Sequence, residues 1–165
     1  MLHSYKLFKV KNGCLHYCVI SIDIEKIISN KNNIDFSEVV LDVDEYTSIG
    51  QYLSIDNQSL KPVLEGINIA LSYFSKNISS QHFVQVNIKN IVDLIRDTHE
   101  GDLLAAATAV MWKALEMEIS NLRFLFLPDN TTRVILPDSR EYIPQQYTNS
   151  NLIVLASEAG TYTTN

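Results

Sequence analysis

Residues 5–12, YKLFKVKN, alternate apolar and polar and predict a strand closed by Asn12-Gly13. LHYCVISIDIE, residues 15–25, predicts a second strand, strongly β-branched after Cys18. Asn-Gly between two such runs signals a hairpin, because a two-residue turn of matching twist needs left-handed backbone at both positions. SNKNN then predicts a polar connection, and DFSEVVLDVDEY a third strand around Phe36–Val43. Over residues 59–76 the period changes to helical. Val63, Ile67, Ala70, Leu71 and Phe74 form one apolar face, and Pro62 suits a first turn. Gly66 costs that helix about 1 kcal/mol against alanine, which points to close packing. Val84, Val86 and Ile88 predict a strand with a turn at Lys89-Asn90. A second helix follows, N-capped by Asp102 and running to about Glu118, with Leu104, Ala107, Met111, Ala114 and Leu115 on one face. Two strands flank Asp129-Asn130, Asn151–Ala156 is a further candidate strand, and the last residues read as a loose tail. Strand, strand, strand, helix, strand, helix, strand, strand is not a regular βαβ rhythm. The order predicts an α+β fold in two layers, a mixed and mainly antiparallel sheet with two helices on one face.

The 165 residues suffice for one core without disulfides or metal, and 46% apolar with 19% charged is an ordinary balance for a globular chain. No apolar run approaches the ~20 residues of a membrane helix, and MLHSYKLFKVKNG lacks the apolar stretch of a signal peptide. A cytoplasmic protein with no membrane partner is expected. Cys14, His16 and Cys18 alternate on one face of a strand; no second Cys/His pair completes a four-ligand site, so ordinary reduced thiols and no metal are expected. The net charge of −6 is uneven: Lys6, Lys9 and Lys11 open the chain, and acids dominate residues 21–60. Without a long basic stripe, strong autonomous nucleic-acid binding is disfavoured by charge.

The chemistry-bearing residues crowd into DTHEGD, residues 97–102, just before the alanine-rich helix. KPVLEGINIALSYF, then FVQVNIKNI, then DTHEGDLLAAATAVMWKAL resembles domain IV of bacterial elongation factor G. The residues that carry the likeness are Pro62, Glu65-Gly66-Ile67, Ala70-Leu71, Val84 to Ile88, His99-x-x-Asp102 and Ala106 to Ala114, with Gly13-x-x-His16-Tyr17-x-Val19 upstream. The likeness implies a domain IV-like core at residues 1–118; residues 119–165 lie outside it and are expected as C-terminal strands and a tail packed on the same domain. It implies a ribosomal protein S5 domain 2-like fold with a left-handed βαβ crossover, an exception to the usual right-handed rule. In the translocase that domain mimics part of a transfer RNA and reaches the ribosomal decoding centre. A contact loop of His99, Glu100 and Asp102, with His16 and Tyr17 beside it, is what the resemblance implies here. No G-x-x-x-x-G-K-[ST] loop is present, so no nucleotide, cofactor or GTPase activity is expected.

Three functions compete. A stand-alone, non-enzymatic binding protein for the ribosome or RNA follows from the resemblance. A protein-interaction module, immunity or regulatory, would use its acidity to meet a basic protein. A metal-dependent lyase or hydrolase would use His99, but metal sites need three or more convergent ligands, and His16 is the outside candidate. The plainest alternative leaves DTHEGD as a solvated loop, with Asp102 capping the helix for about 1 kcal/mol. No nucleophile elbow or Cys/His catalytic signature is present, so no catalytic residue is assigned.

Overall fold

The computed structural model describes residues 1–28, 31–35, 57–78, 83–94, 97–143 and 161–164. Strands β1 (Leu2–Lys11) and β2 (Cys14–Ile27) form the expected hairpin. Asn12 at φ 51° and Gly13 at φ 79° supply the two left-handed positions that the turn requires. Next come β3 (Asn32–Asp35), α1 (Asn57–Asn77), β4 (Phe83–Asp93) and α2 (Glu100–Ala114). A short 3₁₀ turn precedes β5 (Arg123–Phe126), β6 (Thr132–Ile135), β7 (Glu141–Tyr142) and β8 (Thr161–Thr164). The main sheet has the order β1-β2-β4-β3-β8, antiparallel except for the parallel β3/β4 pair joined through α1. A second, antiparallel sheet has the order β5-β6-β7. The fold is therefore α+β, with two α-helices and mixed, mostly antiparallel sheets among the described residues. No helix among the described residues is long and apolar enough to cross a membrane.

The inner face of the sheet follows from parity. Cys18, Ile20 and Ile22 of β2, two apart, are fully buried. On the neighbouring β4 the buried residues are Val86, Ile88 and Ile91, whose spacing breaks the rule of two. A register shift reconciles them: Ser21 pairs with Asn90 and Ile22 with Ile88, so Lys89 is an extra residue in β4. The turn expected at Lys89-Asn90 is thus a β-bulge inside a continuous strand, and it returns Ile91 to the core face. Part of the SNKNN connection is a strand as well. Asn32 and Asn33 belong to β3, where Asn32 Oδ1 accepts from the Val84 N–H at 2.9 Å. The strand expected at Phe36–Val43 and that at Asn151–Ala156 lie outside the described residues. The expected tail includes β8, which pairs antiparallel with β3.

Helix α1 starts earlier than expected, so Pro62 falls inside it rather than in its first turn. Ser59 donates a hydrogen bond from its hydroxyl to Asp93, which ties that opening turn to the end of β4. Helix α2 is shorter than expected and ends at Ala114. Its N-cap is His99, not Asp102, which is the third helical residue. Apart from Glu100 and Lys113 the whole of α2 is buried, where an amphipathic reading would leave one face to solvent. The cause is a third neighbour: β1 and β2 cover one side, α1 another, and β6 the remaining one. Trp112 is fully buried; its ring centroid lies 4.8 Å from that of Tyr73, and its Nε1–H donates to the Glu118 carbonyl at 3.1 Å.

Candidate functional site

The N-terminus of α2 meets β2 and β6 in a buried polar cluster. His16, Asp102 and Thr132 are each 0% exposed. Asp102 Oδ1 accepts from the Thr132 hydroxyl at 2.6 Å and lies 2.9 Å from His16 Nδ1. Its other oxygen accepts the His99 backbone N–H at 3.1 Å, the reach-back of a third-turn-position acid to the helix cap. Every acceptor oxygen of the carboxylate is therefore committed inside the fold. A buried carboxylate is tolerable only on such terms, since an unpaired one costs several kcal/mol.

Local sequence explains how three distant elements come so close. Gly101 is the second residue of α2, and a Cβ there would lie 2.5 Å from the Thr132 carbonyl oxygen and 2.9 Å from its nitrogen. Only glycine lets β6 approach this helix start. The preceding loop is pinned by Thr98, whose hydroxyl accepts from the Leu94 N–H and donates to the Tyr17 carbonyl. On the apolar side, Phe126 packs on the His16 ring with centroids 4.8 Å apart. The Cys18 thiol donates to the Asp102 carbonyl at 3.3 Å. Burial, and then the Asp102 and Asp93 carboxylates, push its pKa well above the ordinary thiol range, so Cys18 stays protonated.

The five residues assigned to a contact loop divide by burial. His16, Tyr17 and Asp102 are inside, and cannot touch a partner that stays on the surface. His99 is half-buried and Glu100 is exposed. The His99 ring lies 5.6 Å from that of His16. His16, His99 and Asp102 each offer a ligand atom, all within 4.8 Å of one another, whereas Glu100 does not belong to that group. Lys9 is registered opposite His16, and Lys11 opposite Cys14, so two exposed lysines stand at the same end of the sheet. Thr132 was missed: it lies in the segment given no role, and no local pattern marks it. The glycine of His-Glu-Gly-Asp was the available hint, because a glycine opening a helix allows close approach of another backbone.

Thr132→Val tests the cluster gently. It keeps the shape and removes the hydroxyl donor to a charged acceptor, so a loss of about 1.5 kcal/mol in urea denaturation is expected. Thr132→Ser, which retains the hydroxyl, should stay within about 1 kcal/mol of wild type.

The fold and site define an α+β domain whose interior polar cluster clamps a helix start between two sheets. No family model matches the chain, and no curated protein matches it.

Proposed function

We propose that this is a non-enzymatic binding domain of the elongation factor G domain IV type, acting on RNA or the ribosome through the His99 loop and the Asn12-Gly13 hairpin. The observation that carries the reading is the saturation of Asp102. A carboxylate with both oxygens held by His16, Thr132 and the His99 backbone positions a loop and does no proton transfer. Two further features support it. The element order β-β-β-α-β-α, with parallel β3 and β4 joined through α1, supports the reading. Lys9, in register with His16, and Lys11 are exposed at that end of the sheet and available to phosphate.

Charge sets the strength. Glu100 is exposed and Asp97 half-buried on the loop itself, so the lysines contribute few phosphate contacts. Two such contacts give a salt slope of roughly −1.4 on single-stranded RNA. Affinity should therefore be modest, and visible only at low salt. The test is retention of purified 70S ribosomes and of a structured RNA at low ionic strength. Wild type should bind; Lys9→Glu with Lys11→Glu should weaken binding roughly tenfold or more, and His99→Ala should weaken it without changing the salt slope. Absence of association for wild type at low salt overturns the proposal.

A further inference from the structure

The cluster holds one feature that neither capping nor RNA contact uses. His16 commits Nδ1 to Asp102, and its Nε2 is fully buried with no hydrogen-bond partner. Buried polar atoms are normally satisfied, by protein, by water or by an ion. A buried imidazole nitrogen left without a partner is a potential metal ligand, and on binding an ion here Asp102 would exchange its hydrogen bond with His16 for the ion. Within reach stand a second imidazole, His99, and the Asp102 carboxylate, with donor atoms of all three inside 4.8 Å. These are independent observations, an unpartnered buried nitrogen and a converging donor set, and they answer the requirement for three ligands that sequence spacing left open.

We propose that His16, His99 and Asp102 form a binding site for a divalent transition metal ion. Two imidazoles and one carboxylate suit zinc, nickel or copper better than magnesium or calcium, which prefer all-oxygen shells. Cys18 is no part of the donor set: its thiol donates to the Asp102 carbonyl and does not belong to the converging group. Ligand distances to zinc are about 2.0–2.2 Å, so the donor atoms must draw together as the ion enters. His99, half-buried at the head of α2, is the member able to move and the route of entry. The ion would join β2 to the start of α2, directly under the contact loop. It would order that loop rather than do chemistry, because the carboxylate is already held by Thr132 and by the helix cap. The site does not depend on the RNA reading, and its test reads metal alone.

Chelator-treated protein is titrated with zinc by calorimetry and with cobalt(II) by its visible absorption. One ion per chain is expected, and zinc at roughly a hundredfold excess over its Kd should raise the thermal midpoint by about 5–10 °C. His99→Ala alters a half-buried position and should leave the fold intact by circular dichroism while weakening zinc roughly tenfold or more. His3→Ala, a half-buried histidine on β1 outside the cluster, should bind as wild type does. Failure of wild type to bind either ion, or unchanged affinity in a folded His99→Ala protein, overturns the proposal.

Discussion

Asp102→Ala is expected to destabilise the protein by about 3–5 kcal/mol, because three buried groups lose their common acceptor at once. The side chain is 0% exposed and is the common acceptor for the His16 ring at 2.9 Å, the Thr132 hydroxyl at 2.6 Å and the His99 N–H at 3.1 Å. Removing it strands three groups at once, and an orphaned buried donor costs roughly 1–3 kcal/mol. Simple addition overstates the total, because Thr132 and His16 lie 3.4 Å apart and can turn to each other. Even the lower figure is a large share of a typical domain stability of roughly 5–15 kcal/mol. Urea denaturation followed by circular dichroism measures it, with the thermal midpoint expected to fall by about 10 °C. Asp102→Asn keeps one carbonyl acceptor but turns an amide donor toward another donor, so it should fall between wild type and Asp102→Ala. A loss under 1 kcal/mol for Asp102→Ala would show that the cluster does not hold the three elements together.

How much of this was visible beforehand depends on the range of the interaction that decides it. The Asn12-Gly13 hairpin was legible because the turn needs two left-handed residues in succession, a purely local demand. The apolar face of α1 and the β5/β6 hairpin are likewise settled within a few residues. Strand β3 was not, since Asn-Asn-Ile-Asp has low strand propensity and its asparagines are stabilised by β4, across 52 positions of chain. Lys89-Asn90 shows the ambiguity of a local signal: the same residues serve a turn or a bulge, and only the opposing strand decides. The polar cluster is the extreme case. His16 and Asp102 are 86 residues apart, and Thr132 and Asp102 are 30 apart. The sequence pointed to both His16 and Asp102 but not to their contact, and it offered nothing for Thr132. Its reading also put Asp102 at the cap, where aspartate is favoured, while the structure uses it one turn in, facing inward.

Gly66→Ala gives the sign test for the helix pair. In an isolated helix this change stabilises, by about 1 kcal/mol. Here it should destabilise. A Cβ on Gly66 would lie 2.4 Å from the Leu104 carbonyl oxygen and 2.8 Å from the Ala107 Cβ, against about 3.4 Å for ordinary contact. The nearest obstacle is backbone, which has no rotamer to escape through, so α1 and α2 must part by about 1 Å (3.4 − 2.4 Å). Leu104 and Ala107 are both 0% exposed, and α2 is enclosed on its other sides by β1, β2 and β6, so the displacement falls on α1. Overpacking of this kind costs about 1–3 kcal/mol and occasionally more. After the gain in propensity, Gly66→Ala should be less stable than wild type by about 2 kcal/mol at most, and Gly66→Val, with two further methyl groups at the same contact, by about 3 kcal/mol. Thermal and urea denaturation of the three proteins order them. If Gly66→Ala proves more stable than wild type, the helices do not meet at backbone distance, and the close seam that lets α2 sit enclosed between α1 and two sheets is wrong.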